Sequence, residues 1–319
     1  MGQLATGHVP VGLERFVELA GPALTSKGAI FVDATLGMGG HAESVAAKFD
    51  QVSVIGLDRD PAAVALVHQR LDRFGQRVKL FQANFSQLGH VLAEAGIGRI
   101  DAALFDLGVS SYQLDQDSRG FAYSRPTPLD MRMDPDDPVT AADILAAYSE
   151  ADLAKIFFRY GQERFASSIA KAIVRHRQTR PIETSDQLVE LIRGAIPEPA
   201  KRHGGHPAKR VFQALRMAVN GELEAIQAAL PQAISQLRIG GRIVVMSYQS
   251  LEDQAVKQIL ARGLTNRTPV GLPVEREEDQ PYLKALTKGA ELAGEAEQLA
   301  NPRSTSLRLR AVEKIGEVA

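Results

Sequence analysis

Between residues 29 and 111, four short apolar runs (29–34, 52–57, 78–81 and 100–105) alternate with segments long enough for helices. Strands spaced in this way specify a parallel sheet. Parallel neighbours need a crossover of about a dozen residues, and strands covered on both faces are apolar throughout. The expected fold class is α/β. The alternation stops after residue 111. Residues 112–208 carry helical periodicity over 140–147, 150–160, 164–178 and 185–195, with no convincing strand. It resumes with a helix over 208–237, a fifth strand over 242–246, a helix over 251–261 and a polar stretch over 265–300. A final strand over 306–312 alternates charged and apolar residues, as suits an antiparallel edge. The simplest organisation is one α/β domain, residues 1–111 and 209–319, with a helical insertion, 112–208, after the fourth strand.

Ligands of open parallel sheets bind at the carboxyl ends of the strands. Four of those ends are polar here: Asp33, Asp58, Asn84 and Asp106. The first runs into Gly37-Met38-Gly39-Gly40-His41 and then a helix-prone segment. The glycines permit positive φ and close approach of a ligand, and the helix N-terminus behind them offers N–H groups. Asp58 can accept from both hydroxyls of a ribose, or cap a helix; Asp60 before Pro61 is the more natural cap. Two ligand classes satisfy this pattern, a nicotinamide dinucleotide and S-adenosylmethionine. Asp33 and the polar fourth strand end favour the second, because an amino-acid ammonium needs acceptors nearby. Asp106-Leu107-Gly108-Val109-Ser110-Ser111 then lies where an acceptor substrate meets a methyl donor. Its oxygens can take hydrogen bonds from an exocyclic amine, although Ser110 and Ser111 read equally well as a helix cap.

The net charge of −1 conceals an asymmetry. Residues 155–216 carry 13 Lys and Arg against 5 Asp and Glu, leaving the remainder at −9. Such segregation suits a polyanionic partner, or else a solvated helical face. Arg164, Lys171, Arg175, Arg177 and Arg180 fall in the insertion, followed by Lys201-Arg202-His203 and Lys209-Arg210. Phe157, Phe158, Tyr160 and Phe165 lie among them and read either as core or as contacts for bases. The chain has no cysteine, which excludes disulfides and thiolate chemistry, and its histidines form no convincing metal set. No secretory leader and no apolar run of roughly 18 residues is present. These features fit a cytoplasmic protein with neither metal nor membrane partner.

Several segments together resemble the bacterial 16S rRNA (cytosine-N4)-methyltransferase family, RsmH or MraW. They are His8-Val9-Pro10-Val11, the Gly37–His41 turn, Asp58-Arg59-Asp60-Pro61 and Phe105–Ser111 continuing to Gln113-Leu114-Asp115. Further along come Pro128-Leu129-Asp130-Met131-Arg132, Tyr160-Gly161-Gln162-Glu163-Arg164-Phe165, His206-Pro207-Ala208, Ser250-Leu251-Glu252-Asp253 and Asn301-Pro302-Arg303-Ser304. The resemblance implies a class I (Rossmann-like) methyltransferase sheet, an insertion for RNA recognition, and S-adenosyl-L-methionine as cofactor. The implied reaction is methylation of N4 of cytosine 1402 in 16S rRNA of the small ribosomal subunit. Implied cofactor contacts are Gly39, Gly40, His41, Asp58, Phe85, Asp106 and Gln113, with Asp106, Ser110 and Ser111 at the reacting centre. Gln249 stands where the family usually has histidine, so a titrating base is not expected there. A homodimer is compatible with the resemblance, which does not fix the oligomeric state. Outside the family, the alternatives are an NAD(P)-dependent oxidoreductase and a non-catalytic RNA-binding assembly factor.

Overall fold

The computed structural model describes residues 10–198, 206–268, 276 and 279–318, with Ser111 by its backbone alone. His8, Val9, Lys201, Arg202 and His203 lie outside the described residues. The chain divides into two compact units, Met1–Gly108 with Leu223–Ala319, and Val109–Glu222.

The first unit opens with helix α1 (Leu13–Ala20). Alternation then proceeds as β1 (Ile30–Asp33), α2 (Gly40–Lys48), β2 (Ser53–Asp58), α3 (Pro61–Leu71), β3 (Val78–Gln82), α4 (Leu88–Glu94) and β4 (Ile100–Asp106). The inner strands are buried on both faces, as parallel strands under helices must be. Val32 sits between Ile55 of β2 and Ala103 of β4, which fixes β1 inside the sheet. The chain steps outward from β1 to β2 and β3 on one side, and β4 lies on the other. The carboxyl ends of β1 and β4 therefore flank the switch point where ligands of such sheets bind.

The second unit holds α5 (Ser111–Asp115), α6 (Ala141–Ala147), α7 (Glu150–Gly161), α8 (Ala166–Arg177), α9 (Ser185–Ala195) and α10 (Lys209–Asn220). The expected domain boundary at residue 209 shifts. Val211, Phe212, Ala214 and Leu215 of α10 pack into one core with Phe157, Ile169 and Leu188, so this helix belongs to the helical unit. The single helix expected over 208–237 is two. Gly221, at φ +57°, ends α10 before α11 (Glu222–Gln236).

Back in the first unit, β5 (Leu237–Ser247) pairs parallel with β4, and α12 (Ser250–Leu264) follows. Then come β6 (Leu283–Ala285), α13 (Glu295–Ala300) and β7 (Arg308–Lys314). The sheet order is β3-β2-β1-β4-β5-β7-β6, with β7 antiparallel to both neighbours. The last strand is thus not the edge, as its alternation suggested. β6, three residues within the supposed polar stretch, pairs outside it. Arg310 is tolerated inside the sheet because Asp253 of α12 accepts from its Nε at 2.7 Å and its Nη2 at 3.1 Å. Among the described residues no helix is long and apolar enough to cross a membrane.

Candidate active site

The turn after β1 shows why its sequence is needed. Gly37 and Gly39 have φ of +50° and +73°. A Cβ on Gly39 would lie 2.5 Å from Val67 Cγ1 of α3, and one on Gly40 would lie 2.3 Å from Pro10 Cγ. The chain's own side chains fill the space these glycines leave. A ligand at this turn therefore meets backbone, and the glycines serve to seat the start of α2 against α3 and residue 10.

Asp58, at the end of β2, holds that turn. Its Oδ2 accepts from Gly37 N–H at 2.8 Å and its Oδ1 from Asp60 N–H at 2.9 Å. Asp60 caps α3 by accepting from Ala62 N–H, the role expected of it. Each Asp58 oxygen keeps acceptor capacity beyond its backbone bond, suited to a ribose hydroxyl. Burial pushes its carboxyl up to about 6 against the pull of those two hydrogen bonds.

Asp33 is 1% exposed at the end of β1. Burial first, then the neighbouring charge of Asp106, pushes its carboxyl up to about 7. Asp106 ends β4. Its backbone N–H donates to Thr35 Oγ1 at 2.6 Å, tying the two strand ends together. Its Oδ1 accepts from the Tyr248 hydroxyl at 2.7 Å. Burial raises the Asp106 carboxyl, while His41 and the Tyr248 hydrogen bond oppose that rise. Burial also raises the Tyr248 phenol well above its ordinary range, so it remains a donor.

His41, in the first turn of α2, is buried edge-on against Phe16. Its Nε2 lies 3.1 Å from Val11 O, which can only accept, so the proton sits on Nε2. Burial lowers its pKa. The neutral ring then turns the Nδ1 lone pair toward Asp106 Oδ2, 4.0 Å away.

Phe85 opens a short 3-10 turn after β3 and stands half-buried, edge-on to Phe105 at 6.0 Å. Asn84 caps that turn, accepting from Ser86 N–H at 3.0 Å. Gln249 is the N-cap residue of α12, where the Glu252 carboxylate accepts from the N–H groups of both Tyr248 and Gln249. In the helical unit, Ser110 and Gln113 form a reciprocal capping box at the start of α5. Each side chain bonds the other's backbone N–H at 3.2 Å, and Gln113 is buried. This is the cap alternative for Ser110 raised by the sequence; the side chain of Ser111 is outside the description.

Asp33, Asp58, Asp106, His41 and Phe85 thus belong to the sheet unit, and Ser110 and Gln113 to the helical unit. Thr35 and Tyr248 escaped sequence reasoning. The available signal for Tyr248 was its place just beyond β5, beside β4 in the sheet. Asp33, Asp58 and Asp106 form a donor set that fits a positively charged ligand. Their burial raises all three pKa values, opposed by the Arg59 charge at Asp58 and by the Tyr248 hydrogen bond at Asp106. Sulfonium and ammonium groups carry charge of the sign such a set would accept; Asp58 would suit a ribose and Phe85 a flat base. Among the described residues no cluster of metal-ligating side chains occurs.

A seven-stranded sheet in this order, with acids at the ends of β1, β2 and β4, is a Rossmann-like architecture whose site suits S-adenosylmethionine. The model of the MraW methylase family matches residues 5–315, and the chain belongs to that family. It is 54% identical over 311 residues to ribosomal RNA small subunit methyltransferase H of Nocardia farcinica, covering 97% of this chain and 96% of that protein. It is 55% identical over 313 residues to the protein of the same description from Beutenbergia cavernae, covering 98% and 94%. Among solved structures, an rRNA methylase from Streptococcus thermophilus superposes with a TM-score of 0.44 at 13% identity, covering 97% of this chain and all of that one.

Proposed function

We propose that this protein methylates 16S rRNA of the small ribosomal subunit at N4 of a cytosine, cytosine 1402. The carrying observation is identity above 50%, over nearly the whole length, to proteins described as ribosomal RNA small subunit methyltransferases. The cofactor supplies an electrophilic methyl on a sulfonium sulfur. The chain's residues bind and orient. Asp58 would accept from the ribose hydroxyls, Phe85 would meet the adenine, and the Gly39-Gly40-His41 backbone and Gln113 would line the remainder. Asp33 and Asp106 balance the positive charge.

A cytosine N4 is a poor nucleophile because its lone pair is conjugated with the ring. Acceptors for its N–H hydrogens, from Asp106, Ser110 and Ser111, help free that lone pair, and alignment contributes much of the rest. Ser110 keeps its O–H and a further lone pair after capping α5. The proton that N4 sheds leaves to water, since Gln249 cannot take it up at neutral pH, which favours a mechanism of placement over one of titration. The target base must leave its stack to be reached. Residues 1–108 and 223–319 are assigned to cofactor binding and residues 109–222, Gln113 apart, to the RNA.

Transfer of labelled methyl from S-adenosylmethionine to 30S subunits lacking the mark tests the proposal. Incorporation is expected. No transfer to 30S or to bare rRNA, by protein that binds the cofactor, would overturn it. The relatives lend no support to the dehydrogenase or the non-catalytic alternative. Calorimetric binding of NADH without S-adenosylmethionine would revive the first, and an Asp106→Ala variant with full cellular function the second.

A further inference from the structure

The amphipathic logic of α7 leaves one residue unexplained. Leu153, Ile156, Phe157 and Gly161 form its buried stripe. Phe158, beside that stripe, is 69% exposed. Single exposed apolar residues are ordinary; the company of this one is not. Lys155, Phe158, Arg159 and Gln162 recur at helical spacing along the outward face, and all four are exposed. The face continues across a close helix contact. Gly161 permits α7 to meet α10 so tightly that a Cβ there would lie 2.5 Å from Arg210 O. The exposed Arg210 donates from Nη1 to Gln162 O at 3.4 Å, bringing another cation to the end of the stripe.

Two carboxylates of α7 precede the stripe, the exposed Asp152 standing three residues before Lys155. Glu150 and Asp152 are at the start of the helix, where Asp152 bonds the Ser149 hydroxyl. Glu163, just past the end, is buried and accepts from Phe165 N–H. The stripe is therefore a flat apolar ring bracketed by positive charge. A partner with alternating π-faces and anions matches it.

We propose that Lys155, Phe158, Arg159 and Arg210 form a platform for unpaired RNA, with one base stacked on Phe158 and flanking phosphates held by the cations. The inference rests on the rRNA reading above and adds a substrate contact outside the methyl-transfer centre.

The absence of tryptophan from the chain gives a direct test, because F158W carries the only indole. Its emission should be quenched on titration with a single-stranded oligocytidine, and again with 30S subunits. F158A should raise the KM for 30S about tenfold, as loss of one base stack does, with kcat and cofactor affinity unmoved; F158Y should restore the KM. K155Q and R159Q should each lower the salt slope of oligocytidine binding by about 0.7. Unquenched F158W emission, or an F158A KM within twofold of the original, would overturn the platform. So would conversion of a dimer to a monomer by F158A, which would make the stripe an interface between copies. Cofactor-binding protein that methylates no 30S or rRNA fails the underlying reading instead; quenching by oligocytidine is read independently and decides the stripe on its own.

Discussion

Asp106 is held from three directions: Thr35 fixes its backbone, Tyr248 donates to one oxygen, and His41 faces the other. Hydrogen bonds to a charged group contribute about 1.5–3 kcal/mol. Tyr248→Phe should therefore lower kcat/KM for methyl transfer by roughly tenfold or more. The bond favours the ionised carboxylate, so its loss raises the Asp106 pKa and moves the acid limb of the pH–rate profile to higher pH. An unmoved limb would show that Tyr248 acts only in packing. A second expectation concerns Asp33 and Asp58, raised to about 7 and about 6. The folded protein keeps protons there that the unfolded chain loses near pH 4. Stability of the ligand-free protein should fall as pH rises from about 4 to 7. A cationic cofactor reverses the penalty, so binding should release protons and tighten across pH 6 to 7. Calorimetry in buffers of different ionisation heat measures both effects. The three acids were legible in the sequence because each ends an apolar run. The Tyr248–Asp106 bond was not, since it joins residues 142 apart and no periodicity records it. Gly39 and Gly40 were legible as a turn, but their packing against Val67 and Pro10 was visible only in three dimensions.

At the scale of elements, the parallel strands were read closely because burial on both faces leaves a continuous apolar run. β6 was missed: three residues are too few to show an alternation. The position of β7 was misjudged because an internal strand ordinarily lacks charge, and the partner that neutralises Arg310 comes from α12. The same strand ends in Lys314, whose side chain is fully buried. Its Nζ donates to Leu237 O at 2.9 Å, Ser235 O at 3.3 Å and Glu317 at 2.9 Å, fastening β7 to the end of α11. Arg99 also serves those two carbonyls, so they keep one donor if the lysine is lost. Lys314→Ala should cost about 2–3 kcal/mol, from lost hydrogen bonds and the emptied stem. Lys314→Met, which keeps most of the stem, should cost less. Urea unfolding of the two variants separates these contributions.

For the whole molecule, the sequence signalled an interrupted sheet through the loss of strand periodicity after residue 111. Periodicity alone could not assign α10, whose apolar face fits either unit; only its packing with Phe157 and Ile169 does so. The excess of eight positive charges over residues 155–216 implies salt-sensitive binding, with log affinity for 30S falling linearly against log salt by roughly 0.7 per phosphate neutralised. Filter binding across a salt series checks it, and a flat line would remove the electrostatic role of the helical unit. The central claim is methylation of an exocyclic amine on small-subunit RNA. Its most direct measurement is nucleoside mass spectrometry of 30S RNA lacking the mark, after incubation with the protein and S-adenosylmethionine. The account predicts N4-methylcytidine approaching one per subunit, and none with Asp106→Ala. Methylation at a ring carbon or a ribose, or none at all by cofactor-binding protein, would contradict it.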